Sequence, residues 1–131
     1  MPDDALPALY RRAEVVVLPS VHRTCYGREL RVSELLGLVV LEAMASGTPV
    51  VCSRLGGLIE VVQHGVTGFL VEPGNIAELH ERLAELLRDP ALARRMGHSA
   101  RALVLERFTW QACAERCLAA YEELLHEGRP H

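Results

Sequence analysis

The sequence is short of the features that mark membrane, secreted and nucleic-acid-binding proteins. No apolar run approaches the roughly 20 residues that a membrane-spanning helix needs. The opening segment, "MPDDALPALYRR", is too acidic and too interrupted by proline for a signal peptide. The net charge of −3 over 131 residues gives no general attraction to nucleic acid or to anionic membranes. We therefore expect a cytoplasmic protein with no transmembrane segment and no nucleic-acid partner.

Metal-binding spacing is also missing. The 4 cysteines show no C-x2-C pair. His22 and Cys25 could supply two zinc ligands, but no second pair accompanies them, so we expect no metal site. Cys113 and Cys117 are one helical turn apart, which predicts two small buried side chains on one helix face.

What the sequence does contain is an alternation of strand and helix patterns. Continuous apolar runs predict strands in "EVVVLPS" (residues 14–20), "PVVCS" (49–53) and "TGFLVEPG" (67–74). Helices are predicted at residues 5–13, 37–46 and 58–65, followed by three more between Asn75 and residue 126. Such alternation indicates a parallel α/β structure. We divide the chain into core motifs (5–75), a helical extension (75–126) and a frayed tail (127–131).

The helical extension carries clear start signals and apolar stripes. Asn75 with Glu78 resembles a capping box, Asp89 precedes a proline at the first helical position, and Thr109 could cap the last helix. The first stripe comprises Ile76, Leu79, Leu83, Leu86 and Leu87. The last comprises Trp110, Cys113, Cys117, Tyr121, Leu124 and Leu125. Both stripes predict burial against the rest of the protein.

Only three strands are visible, whereas a doubly wound sheet usually has about six in two halves. The fold class is therefore predicted as α/β, a three-stranded parallel half of a doubly wound, Rossmann-like sheet. In the strand order 3-2-1-4-5-6 the first visible strand would be the fourth and would present Val15 to Leu18 on an open edge. Such an edge invites pairing with another chain. We expect the isolated chain to self-associate or to be only marginally stable.

Two glutamates, Glu34 and Glu42, stand seven residues apart across an apolar run that contains Gly37. In doubly wound sheets, ligands lie beyond the carboxyl ends of the strands, against helix N-termini. A helix that starts near Gly37 would offer free N–H groups to phosphate, and carboxylates accept hydrogen bonds from diols. A nucleotide-sugar, with a diphosphate between two diol-bearing rings, fits this pattern. On the residues alone, glutamates that face solvent from a helix are the commoner case and the favoured interpretation.

The runs "LPALYRRAEVVVLPS" and "ELLGLVVLEAMASGTPVVCSRLGGLIEVVQHGVTGFLVEPGN" closely resemble the C-terminal domain of GT-B glycosyltransferases of family 4. The shared motifs are E-x7-E, G-T-P-V, G-G-x-x-E and G-x-x-G-x-L-V, over about residues 5 to 75. The resemblance implies roles for residues on both sides of the donor. Glu34 would position the transferred sugar, and Glu42 would bind the ribose. The backbone of Leu36, Gly37 and Leu38 would contact sugar and phosphate; Gly56 and Gly57 would form a turn at the cleft, braced by Glu60.

The resemblance also implies the reaction. Family members transfer a sugar from a nucleotide donor to an acceptor hydroxyl with retention, without a bound metal or other cofactor. The acceptor, a glycan or lipid-linked sugar in polysaccharide biosynthesis, would bind to an N-terminal domain that is missing here. The full-length enzyme could sit peripherally at the inner membrane face. The basic residues that neutralise the donor diphosphate are also missing, and Arg23, Arg28 and Arg31 are not expected to replace them. The isolated chain is therefore expected to be inactive.

Two alternatives remain open at this point. One is a non-catalytic α/β interaction module that kept the fold and lost the chemistry. The other is a part of another GT-B enzyme, such as a glycogen synthase or a nucleotide-sugar epimerase. An epimerase would need histidine and acidic groups in the cleft, and the sequence does not identify them.

Overall fold

A computed structural model describes residues 5–23, 26–29 and 35–127. The elements, in chain order, are α1 (Ala5–Arg12), β1 (Val16–Leu18), α2 (Leu38–Ala45), β2 (Val50–Ser53), α3 (Leu58–Val61), β3 (Gly68–Val71), α4 (Ile76–Arg88), α5 (Pro90–Arg107) and α6 (Trp110–Glu127). The predicted α/β alternation is confirmed. The helix expected at residues 37–46 has Gly37 and Ser46 as its two capping residues.

The three strands form one parallel sheet in the order β1-β2-β3. Val16 pairs with Val50, and Val50 pairs in turn with Gly68. Every residue of β2 and β3 is buried, as continuous apolar runs predict for parallel strands covered on both faces. In contrast, β1 has three residues and is only half-buried. Among the described residues it pairs on one side alone, so it forms an edge.

Apolar side chains cover both faces of the sheet. On one face, α2, α3 and the C-terminal half of α5 pack against β2 in a cluster that we call the α2 core. It contains Val40, Ala43, Met44, Val50, Cys52, Leu58, Val61, Val62, Leu70, Ala100, Leu103 and Val104. On the other face, Val51, Phe69, Val71 and Leu86 meet the first turns of α5. Since side chains alternate along a strand, Val50 and Val51 pack on opposite faces of the sheet.

The packing of α5 on α2 depends on small residues. Gly97 of α5 lies so close to the carbonyl oxygen of Gly47 that an added Cβ would overlap it. Arg101, one turn further along α5, donates a hydrogen bond to the carbonyl oxygen of Ala45. These contacts fix the C-terminal end of α2 against α5.

The predicted helix starts are confirmed. Asn75 Oδ1 accepts from the Glu78 N–H at 3.1 Å, Asp89 Oδ1 from the Leu92 N–H at 3.0 Å, and Thr109 Oγ1 from the Ala112 N–H at 3.1 Å. The observed cap at the start of α4 differs from the predicted capping box in one hydrogen bond. The Glu78 carboxylate accepts from the Glu72 N–H at 2.9 Å, which ties α4 to the end of β3.

Three predictions of helix extent and burial were wrong. The helix expected to run to Gly65 ends at Val61, because Val62 is already extended with φ −102° and ψ 122°. On α4, Ile76 and Leu87 are exposed because they share one margin of the stripe, whereas Leu79, Leu83 and Leu86 pack towards the sheet.

The third wrong prediction concerns α6. The side chains of Trp110, Tyr121, Leu124 and Leu125 are 92%, 66%, 64% and 71% exposed. Cys113 and Cys117 are exposed free thiols rather than buried ones. The stripe has the expected spacing, but the described residues provide no surface that covers it.

Candidate functional site

The candidate site begins at the N-terminus of α2. Gly37 is the N-cap, with φ 77° and ψ 56°, a left-handed conformation that favours glycine. Its carbonyl accepts from the N–H groups of Val40 and Leu41 at 2.9 and 3.2 Å. Within the described part of the chain, the N–H groups of Leu38 and Val39 have no hydrogen-bond partner. Together with the helix dipole, these two donors favour an anion.

These donors border an open cavity. The cavity has a volume of about 460 Å³ and is lined by Leu18, Leu35, Leu36, Gly37, Leu38 and Val39. It lies between the carboxyl end of β1 and the start of α2, where ligands of doubly wound sheets bind. The structure thus brings Leu36, Gly37 and Leu38 together at one surface. The side chains of Leu36 and Leu38 are exposed there.

Gly56 and Gly57 lie behind this segment. The Gly57 N–H donates to the Leu35 carbonyl oxygen at 3.1 Å, and Gly56 has a φ of 48°. An added Cβ on Gly57 would overlap Leu35 and Leu36 backbone atoms. The turn therefore holds the segment that lines the cavity. Glu60 is exposed on α3, and its carboxylate has no hydrogen bond or ion pair in the described structure, so its side chain does not brace the turn.

Glu42 lies on the exposed side of α2, one helical turn beyond the free N–H groups. Its Oε2 accepts a hydrogen bond from the Tyr10 hydroxyl at 3.0 Å. Partial burial, and after it the hydrogen bond to Glu42 and the negative charge of Glu42, raise the pKa of Tyr10 above its ordinary value. Tyr10 stays neutral and keeps donating throughout the physiological range.

Sequence reasoning did not find Tyr10. It precedes Glu42 by 32 positions and belongs to a different helix. The spacing of apolar residues on α1 marks Tyr10 only as a residue that faces the core. The contact depends on how α1 packs on α2, which no local pattern specifies.

Several predicted residues fall outside the described part of the chain. These are Glu34, Arg31 and Cys25. Arg23 and Arg28 are described and exposed. The Arg23 Nε donates to the Gly27 carbonyl oxygen at 3.3 Å, within the loop that follows β1.

The described residues contain no group of three or more His, Cys, Asp or Glu side chains arranged to hold a metal ion. None of their helices has the length and apolar character needed to cross a membrane.

Comparison with known proteins identifies relatives over most of the chain. Residues 1–103 match the family model described as "Glycosyl transferases group 1". A curated relative, the MMP alpha-(1->4)-mannosyltransferase of Mycolicibacterium hassiacum, is 40% identical over 124 residues, which are 94% of this chain and 28% of that protein. The chain thus spans less than a third of the length of this relative.

Solved structures agree in fold. Sucrose-phosphate synthase from Thermosynechococcus elongatus has a TM-score of 0.73 and 35% identity over 95% of this chain and 29% of its own. HepE from Anabaena, solved in complex with UDP, has a TM-score of 0.74 and 28% identity over 88% of this chain and 29% of its own. The α/β half-sheet is therefore part of a larger glycosyltransferase fold in these proteins.

Proposed function

The chain belongs to the group 1 glycosyltransferase family, and we propose that it is the donor-binding half-domain of an enzyme that transfers a sugar from a nucleotide-sugar to an acceptor hydroxyl. The observation that carries this proposal is the geometry of α2. Two N–H groups, of Leu38 and Val39, have no partner among the described residues and border a cavity at the carboxyl end of β1, and the Glu42 carboxylate follows one turn later.

In this proposal, each part of a nucleotide-sugar has a complementary group in the chain. The diphosphate accepts hydrogen bonds from the free N–H groups at the positive end of the α2 dipole. The Glu42 carboxylate accepts from the ribose hydroxyls, and Glu34 from those of the transferred sugar. The backbone at Leu36 and Gly37 lies against the sugar and phosphate, held from behind by Gly56 and Gly57. The solved structure of HepE with UDP supports a nucleoside diphosphate as the ligand class.

The reaction in this proposal retains the configuration at the anomeric carbon, as in the family that the E-x7-E motif resembles. The departing diphosphate is stabilised by the α2 N-terminus, so no metal ion is required. The acceptor is a glycan or a lipid-linked sugar, bound by a further domain of the kind that gives the relatives their greater length. Transfer takes place in the cytoplasm, and this chain alone is inactive.

The decisive experiment uses a chimaera, in which this chain replaces the matching segment of the M. hassiacum mannosyltransferase. Calorimetry with UDP, GDP and ADP identifies the nucleoside diphosphate that binds. The Glu42→Gln variant keeps the size of the side chain but weakens its acceptance from a diol. It should lower the affinity by about 1–3 kcal/mol, the range for a hydrogen bond to a charged group.

Glu81→Gln is the matched control, because Glu81 is exposed on α4, on the opposite face of the sheet. It should bind the nucleotide as the unmodified chimaera does. Equal affinities for the Glu42→Gln variant and the unmodified chimaera would remove Glu42 from the site. No binding of any nucleoside diphosphate would contradict the proposed function as a whole.

A further inference from the structure

The hydrogen bond between Tyr10 and Glu42 joins α1 to α2, the helix whose N-terminus forms the candidate site. Tyr10 lies on α1, before the sheet begins, and Glu42 lies on α2. The hydroxyl is 3.0 Å from Glu42 Oε2, a normal length for a hydrogen bond to a carboxylate. No part of the proposed function accounts for a tyrosine at this position.

Tyr10 is held in place at both ends. Its ring packs against the α2 core. Its carbonyl oxygen accepts from the Thr48 hydroxyl at 2.6 Å and from the Ala13 N–H at 3.1 Å. Thr48 itself is only 3% exposed. Because backbone and ring are both fixed, the hydroxyl is a donor at a defined point beside α2.

Glu42 lacks this kind of support from its own helix. An exposed glutamate on a helix samples several side-chain conformations, and ordering it on binding costs affinity. Tyr10 is the one partner of the Glu42 carboxylate among the described residues. An ionised carboxylate has about four lone-pair sites on two oxygens, so a single donor on Oε2 leaves Oε1 available.

We propose that Tyr10 is a positioning residue, whose hydroxyl holds the Glu42 carboxylate so that Oε1 faces the ribose hydroxyls of the donor. The inference rests on the proposed role of Glu42. Tyr10 itself does not touch the ligand in this arrangement. It orders Glu42 before the nucleotide arrives, and thereby increases the preference for a nucleotide that carries both ribose hydroxyls.

The test compares Tyr10→Phe with the unmodified chimaera, using two probes for the nucleoside diphosphate that binds. One probe is the ribonucleotide and the other is its 2′,3′-dideoxy form. Loss of the hydroxyl should weaken the binding of the ribonucleotide about three- to tenfold, the range for ordering one side chain on binding. The dideoxy form cannot use Glu42, so its affinity should not change. The ratio of the two affinities should therefore fall.

A merely structural role for Tyr10 gives a different result. If the hydroxyl only fastens α1 to α2, Tyr10→Phe should weaken the binding of both probes equally. It should also lower the melting temperature of the chimaera. Phenylalanine preserves the ring that packs on the α2 core, which limits that loss. Tyr121→Phe is the control, since Tyr121 is exposed on α6; its ratio of affinities should match that of the unmodified chimaera.

A double variant tests whether Tyr10 acts through Glu42. In the Glu42→Gln background, Tyr10→Phe should cause little further loss of ribonucleotide affinity, so the two effects should not add. Additive losses, or an unchanged ratio of ribonucleotide to dideoxy affinity, would overturn the inference and leave the proposed function intact. If the chimaera binds no nucleoside diphosphate, the proposed function fails and this inference fails with it.

Discussion

The N–H of Gly57 donates to the carbonyl oxygen of Leu35 at 3.1 Å, which brings the turn before α3 against the segment before α2. The approach is so close that any Cβ at residue 57 would overlap this oxygen. A residue 22 positions further along the chain thus sets the shape of the candidate phosphate site. Glycine at residue 57 is required by this contact and not by its own backbone conformation, since its φ is −68°.

We predict that Gly57→Ala in the chimaera pushes the Leu35 to Gly37 segment away from α3. Overpacking of this kind costs about 1–3 kcal/mol, so both the melting temperature and the affinity for the nucleoside diphosphate should fall. Gly74→Ala is the control, because Gly74 has a φ of 78° but open space around its Cβ position. Backbone strain at residue 74 should lower the melting temperature without weakening the binding of the nucleotide. If Gly57→Ala leaves the affinity for the nucleoside diphosphate unchanged, the turn at Gly57 does not shape the nucleotide site.

The hydrogen bond between Tyr10 and Glu42 gives a prediction for the pH dependence. Partial burial, followed by the bond to Glu42 and its charge, raises the pKa of Tyr10. The neutral hydroxyl therefore contributes stability that is present below the unfolded-state pKa of about 10 and is lost as the pH rises through the folded-state pKa. Titration followed by tyrosinate absorbance should show a component above the ordinary range, which Tyr10→Phe removes.

Two further variants assign the cause of that shift. Glu42→Gln should lower the pKa of Tyr10 only in part, because burial is the largest cause and remains. Tyr121→Phe should leave the raised component in place. The absorbance component that Tyr10→Phe removes is the titration of Tyr10. If this component titrates in the ordinary range of tyrosine, the hydrogen bond between Tyr10 and Glu42 does not persist in solution.

The sequence allowed the prediction of those features that depend on neighbours along the chain. The caps at Asn75, Asp89 and Thr109 are local, and so are the buried strands β2 and β3. The order of the strands was predictable because parallel crossovers restrict the possible topologies. The family motifs then pointed to Gly37 and Glu42.

Features that depend on packing between distant elements could not be predicted. Val62 has an extended backbone and packs in the α2 core, where it is 2% exposed, directly after the helical Val61. The contact of Tyr10 with Glu42 follows from the placement of α1 on α2. The stripe on α6 predicts burial, but periodicity specifies only that a face is apolar and not what covers it.

The proposed chemistry predicts that chelation leaves transfer unaffected. In the proposed chemistry, the N–H groups of Leu38 and Val39, which have no partner among the described residues, and the α2 dipole take the place that a divalent cation would have beside the diphosphate. The chimaera, assayed with a nucleotide-sugar that it uses as donor, should keep its rate of sugar transfer in excess chelator. A loss of transfer that magnesium or manganese restores would contradict a metal-independent reaction. Nucleotide binding measured in the same chelator separates a loss of chemistry from a loss of binding.

The last prediction concerns the 131-residue chain by itself. Within the described structure, β1 pairs with β2 alone, and Val16 to Leu18 are half-buried rather than buried. The backbone N–H of Val16 bonds to Pro49, and the alternation of a parallel strand then directs the N–H of Val17 to the open edge. The apolar stripe of α6 is a second uncovered surface. Both surfaces favour contact with another copy of this chain.

We therefore expect the chain to self-associate at micromolar concentration, to unfold at a low temperature and to transfer no sugar. Light scattering alongside a melting curve measures the first two, and a Val17→Pro variant tests the edge. Proline removes the outward N–H while the bond from Val16 to Pro49 stays, so association through β1 should weaken. The paired change Leu124→Ser with Leu125→Ser tests α6 in the same way, because both side chains belong to the exposed stripe. If the unmodified chain is a monomer with a sharp transition at high temperature, β1 and α6 need no partner and this account of both surfaces is wrong.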